Sequence, residues 1–137
     1  MNLMRRQVLT VVVGIALSFL ATPAMGYLLY QLSHSLNEAS LGRITRYILQ
    51  PVVALLVGAA VGALAKARPG SLAALSLIPS VLAFFFAAWR RIEGHFLLFL
   101  ILEIVCLIIA VTAASVVFAV MERTTRTHRE VTLTTND

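Results

Sequence analysis

Residues 96–121, FLLFLILEIVCLIIAVTAASVVFAVM, are apolar apart from one ionisable side chain, Glu103, and a few small hydroxyls. At 1.5 Å rise per residue this run would extend about 39 Å as a helix, more than the roughly 30 Å of bilayer hydrocarbon. Lipid offers a bare backbone no hydrogen-bond partner, and the alternating pattern of barrel strands is missing, so the run reads as a membrane-spanning helix. Working outward, three further blocks have the same character, at 7–30, 45–65 (starting at Ile44 or Tyr47) and 72–89. The shortest would be about 27 Å long, still enough to cross. The implied fold is all-α: an integral membrane four-helix bundle of antiparallel transmembrane hairpins. It forms a single domain over residues 1–121, followed by a polar tail at 122–137.

Composition agrees with lipid as the solvent. Of 137 residues, 60% are hydrophobic and 12% charged, and the mean hydropathy is +0.93. Soluble domains run nearer 45–50% apolar and a quarter charged. The formal charge of +5 raises the question of nucleic acid, but the basic residues flank apolar blocks instead of forming a stripe interleaved with aromatics, so nucleic-acid binding is excluded as a reading. Such flanking charges orient membrane helices and meet anionic headgroups. The single cysteine, Cys106, lies inside a span and cannot form an intrachain disulfide.

Basic flanks set the orientation. Arg5, Arg6, Lys66, Arg68, Arg123, Arg126 and Arg129 fall on one side, and Arg43, Arg46, Arg90 and Arg91 on the other. The richer side is retained in the cytoplasm, which places both termini there, in a bacterial inner membrane. Tyr27, Tyr30, Tyr47 and Trp89 then meet the outer interface, where amphipathic rings collect. Arg5 and Arg6 ahead of an apolar run also resemble a signal peptide. The run continues through Tyr30, beyond an h-region of 7–15 residues, so a retained span is expected.

The connection from Gln31 to Arg46 carries Ser35 and Glu38 at capping-box spacing, with Leu36, Ala39 and Leu41 on a partly apolar face. A short interfacial helix between the first two spans is expected there. Pro69-Gly70 and Gly94 mark the other two turns as helix breaks. In the tail, Glu122–Arg126 and Arg126–Glu130 have helical ion-pair spacing, so the fourth helix is expected to project by a turn or two before giving way to disorder.

Small residues that let backbones approach are the informative packing signal in lipid. Ala54, Gly58 and Gly62 repeat every four residues on the second span, with Ala59 and Ala63 widening that face. Thr10, Gly14, Ser18 and Thr22 do the same on the first, and Cys106, Ala110 and Ala113 or Ala114 on the fourth. These faces suit packing within the bundle, or association with another subunit or another copy. Pro23 and Pro79 are expected to kink spans one and three, with Thr22, Ser76 and Ser80 available for the freed carbonyls, whereas Pro51 lies near a span start.

Glu103 is the one ionisable residue deep in a span. An acid there costs about 2.5–3.5 kcal/mol even on the lowest scales, so it should face protein and either bind a proton or cation or be satisfied by hydroxyls or backbone. No metal or haem site is expected, since His34 and His95 have no converging ligands and Cys-x2-Cys is lacking. No catalytic residues are assigned: there is no nucleophile–base arrangement and no Gly-rich phosphate loop. No cofactor is implied.

The essential first-span acid of small multidrug exporters and the paired cysteines of quinone-epoxide reductases have no counterpart here. Around the third span, Ile78-Pro79 and Ala88-Trp89-Arg90 resemble the small four-span proteins encoded beside rotary ATP synthases. That likeness covers two short stretches, the spacing to Glu103 differs, and no function is carried across. The sequence thus favours a non-enzymatic accessory or structural subunit of a larger membrane complex. The alternative is a small oligomeric proton- or cation-coupled transporter or channel using Glu103. Expected partners are the bilayer and other membrane subunits or further copies.

Overall fold

The computed structural model describes residues 2–32, 45–88 and 96–134. These form four helices packed against one another: α1 (Leu3–Leu32), α2 (Gln50–Leu64), α3 (Pro69–Ala88) and α4 (Phe96–Thr134). One turn of π-helix, Thr45–Leu49, leads into α2, and no strand occurs among the described residues. Three stretches, Leu3–Ala21, Tyr47–Leu64 and Leu97–Thr132, are long and apolar enough to cross a membrane, and Pro69–Ala83 in α3 is a shorter apolar helix. The interfacial helix expected around Ser35 and Glu38 lies outside the described residues, as do His34, Arg43, Trp89, Arg90, Arg91, Glu93, Gly94 and His95.

Size sorts the side chains in the manner of a lipid-soluble bundle. Among the described residues the most deeply buried side chains are Val57, Val61 and Ser76; Leu49, Leu72, Leu77 and Phe99 are buried as well, but most large hydrophobics, Leu20, Phe86 and Leu97 among them, stand exposed. Lipid tails solvate large aliphatics as well as a core does, so close approach of backbones over small residues is what holds the helices together. The central cluster is mostly small: Val53, Ala54, Val57, Val61, Ala65, Ala73, Cys106, Ala110 and Ala114, with Leu72 and Leu77 as its larger members.

Helices adjacent in sequence run antiparallel, and alternate helices run parallel. Gly70 of α3 meets Val111 and Ser115 of α4, while at the other end the Phe85 and Phe99 rings lie 6.4 Å apart. In contrast, Gly58 and Gly62 of α2 meet Ala110 and Ala114 of α4 in the same order. Gly14 and Ser18 of α1 likewise face Ser76 and Ser80 of α3.

Three local features depart from expectation. Pro69 opens α3 where a break was anticipated: its missing N–H is harmless at the first helical position, and its ring presets φ. The π turn was not anticipated. Pro51 has no N–H to offer the carbonyl of Tyr47 four residues earlier, and a wider turn is the local solution. Finally, α4 does not give way after a turn or two but continues through the polar stretch to Thr134. Glu122 and Arg126 pair at 2.7 Å, and the hydroxyls of Thr124, Thr125 and Thr127 donate to carbonyls four residues back, inside the helix.

The α2–α3 turn holds a backbone strain. The Ala65 N–H closes α2 on the Val61 carbonyl at 2.8 Å, and Arg68 then takes φ 51°, where a Cβ costs about 1–2 kcal/mol. Arg68→Gly is therefore expected to stabilise the fold by about 1 kcal/mol. Thermal unfolding in detergent measures this, and an unchanged or lower midpoint would assign the turn to the Arg68 side chain.

Candidate functional site

The one buried carboxyl among the described residues, that of Glu103, sits at one end of the α2–α4 seam. On α2, Gln50, Ala54, Gly58 and Gly62 follow one another at four-residue intervals, which keeps them on one face. On α4 the facing positions are Glu103, Cys106, Ala110 and Ala114, all buried. A Cβ placed on Gly58 would stand 2.8 Å from the Ala110 Cα and 2.9 Å from its carbonyl carbon; on Gly62 it would stand 2.8 Å from the Ala114 Cα. In both cases the Ala carbonyl oxygen would be closer still. Only hydrogen fits there, so the glycine Cα–H groups point at carbonyls, a contact worth about 0.5–1 kcal/mol each.

This backbone-to-backbone approach fixes what lies above it. Glu103, seven residues into α4 and so about 10 Å from its start, is 6% exposed. The Gln50 amide Nε2 donates to its Oε1. Oε2 is buried and finds no hydrogen-bond partner among the described residues. Leu49 and Phe99 are buried at the same end, Leu49 as the last residue of the π turn that delivers Gln50 to α4. The carboxyl is thus held at one oxygen and left open at the other, an arrangement able to take up a proton or meet a cationic or hydroxyl group.

A second polar seam joins α1 to α3. A Cβ on Gly14 would lie 2.7 Å from the Ser76 Cβ and 3.0 Å from Val61 Cγ2. Four residues on, Ser18 and Ser80 share a hydrogen bond. The Ser76 hydroxyl donates to the Leu72 carbonyl at 2.8 Å, and buried Thr10 to the Arg6 carbonyl at 2.8 Å. Ser76 and Ser80 are therefore committed to Leu72 and Ser18, not to the Leu75 carbonyl that Pro79 frees. Pro23 and Pro79 both lie within continuous helices; the side chain of Thr22 is not described.

Of the other residues singled out from the sequence, Ala114 and not Ala113 takes the buried position on α4. The proposed widening of the α2 face is not used, since Ala63 is exposed and Ala59 only half-buried. Tyr27 and Tyr47 are exposed at the end of the bundle that holds Glu103. Among the described residues, His, Cys, Asp and Glu do not gather in threes around a possible metal. Gln50 and the Ser76/Ser80 pair were not recognised as partners of Glu103 and of Gly14/Ser18. For Gln50 the available signal was its place one turn ahead of Ala54 in the Ala54/Gly58/Gly62 series. Comparison of the chain with protein-family models, characterised proteins and solved structures finds no match.

Proposed function

We propose that this chain is a non-enzymatic accessory or structural subunit of a larger membrane complex, crossing the bacterial inner membrane four times with both termini in the cytoplasm. The observation that carries this reading is the length of α4. Its 39 residues extend about 58 Å, roughly twice the hydrocarbon thickness. Every described side chain from Met121 to Thr132 is exposed. A polar helix of this length has little stability of its own, and the Glu122–Arg126 pair adds only a few tenths of a kcal/mol. Continuity with the span and contact with a partner's aqueous domain together account for an arm of this kind. The glycine and alanine stripes are occupied within the chain, which leaves the arm and the outward aliphatic faces for assembly.

Mild-detergent extraction followed by native mass measurement tests this. The full chain is expected to carry a stoichiometric partner, and a chain ending after Met121 to lose it while keeping its helicity. A lone 14.9 kDa species active in liposomes would defeat the reading. The unpartnered Glu103 Oε2 favours a second reading, a small oligomeric proton- or cation-coupled transporter in which Pro23 and Pro79 permit movement. Its test is Glu103→Gln, taken up in the Discussion.

A further inference from the structure

We infer that the groove between the start of α1 and the end of α2 binds an anionic phospholipid, with the phosphate on Arg6 and an acyl chain laid along Leu9, Val13 and Leu64. This rests on the reading of the chain as membrane-spanning and adds a ligand to it.

The groove has a volume of about 310 Å³ and is lined by Arg6, Leu9, Thr10, Val13 and Leu64. The four α1 residues stand at i, i+3, i+4 and i+7, a single face two turns long, and Leu64 is the final residue of α2. Its polarity is graded along the helix. The charge lies at the terminal end, and aliphatic side chains continue about 10 Å toward the middle of the bundle. Leu9, Val13 and Leu64 are each partly exposed, so the walls are apolar and open. The Thr10 hydroxyl is already given to the Arg6 carbonyl, which leaves the Arg6 guanidinium as the polar group available to a ligand.

Charge selects the headgroup. Arg6 is half-buried, and no described carboxylate pairs with it. Arg5, Lys66 and Arg68 belong to the same end of the bundle. The described acids nearest that end are Glu122, already held by Arg126, and Glu130, farther out on the arm. A guanidinium offers a planar fork that suits a phosphate, and basic pockets between helices at the cytoplasmic face are places where anionic headgroups settle. A zwitterionic lipid brings a cation into the same positive field. A free phosphate makes no use of the aliphatic walls.

Native mass measurement of the full chain, with phosphatidylglycerol or phosphatidylcholine of identical acyl chains added in mild detergent, tests the site. The chain is expected to retain phosphatidylglycerol at least tenfold more than phosphatidylcholine. Arg6→Gln should bring that ratio to within about twofold. Arg5→Gln removes the same charge from an exposed neighbour outside the groove and should preserve it. Val13→Trp should reduce phosphatidylglycerol retention by filling the groove with Arg6 still in place. Equal retention of the two lipids, equal loss in Arg5→Gln and Arg6→Gln, or displacement by millimolar inorganic phosphate would each overturn the inference. Partition of each variant into carbonate-washed membranes reports separately on the spanning reading: a chain that partitions but shows no lipid preference defeats this inference alone.

Discussion

Gly58→Ala is expected to lower the unfolding free energy by about 2 kcal/mol or more, and Ala110→Gly is expected not to rescue it. The added methyl would stand 2.8 Å from the Ala110 Cα and 2.9 Å from its carbonyl carbon. These are backbone atoms, which no side-chain truncation moves. Overpacking of this kind costs about 1–3 kcal/mol and more where the backbone must shift. Gly14→Ala makes a different collision, with the Cβ and Oγ of Ser76 and with Val61 Cγ2 at 3.0 Å. There Ser76→Gly removes most of the obstacle. Double-mutant cycles, read by denaturant or thermal unfolding in detergent, should give a coupling of about 1 kcal/mol or more for Gly14 with Ser76 and near zero for Gly58 with Ala110. Rescue of Gly58→Ala by Ala110→Gly would mean that the α2–α4 seam is held by side chains and not by main-chain contact.

Gln50→Leu is the second large effect. It strips Glu103 Oε1 of the amide that donates to it while Oε2 remains unpartnered, leaving both oxygens of a buried carboxyl without a described donor. An unmet buried acceptor costs about 1–3 kcal/mol, more if charged. The double replacement Gln50→Leu/Glu103→Leu should recover most of that loss, because removing both polar partners is close to neutral where removing one is not. Glu103→Gln separates stability from transport. Its amide oxygen can still accept from Gln50, so unfolding should change by no more than about 1 kcal/mol, while the titratable group is lost. If Glu103 carries protons, acid-loaded liposomes bearing the wild-type chain should show a pH relaxation that those bearing Glu103→Gln lack. Unchanged relaxation removes the residue from any transport cycle and leaves the Gln50–Glu103 pair as a structural lock.

The helices were legible because long apolar blocks in a chain of this composition have few alternatives. Glu103 stood out because it is the one ionisable side chain deep within such a block. Partnership was harder to read. The repeat of Ala54, Gly58 and Gly62 marks a flat face, but a flat face fits a helix of its own chain, another copy or another protein equally well. Only the tertiary arrangement brings it onto Ala110 and Ala114. Gln50 was missed because it precedes Pro51 at the edge of the second block, where polar residues usually belong to the flank, and because a π turn shifts the register that brings it onto α4. The continuation of α4 to Thr134 was underestimated for a related reason. Threonines in 124–132 argue locally against helix, and their hydroxyl bonds to carbonyls four residues back do not favour it, but adding residues to an already formed helix avoids the cost of nucleation and outweighs that preference.

The parallel pairing of α2 with α4 has a consequence for biogenesis. For a chain threaded into the bilayer one helix at a time, the α2–α4 seam has no counterpart until α4 leaves the ribosome. During the interval the nascent chain shows a naked glycine face and an unanswered glutamine amide to the surrounding lipid. Such an intermediate is a natural client for an insertase or a membrane-embedded protease. Translation halted before residue 96 should therefore yield a product that is cleared faster than the finished polypeptide.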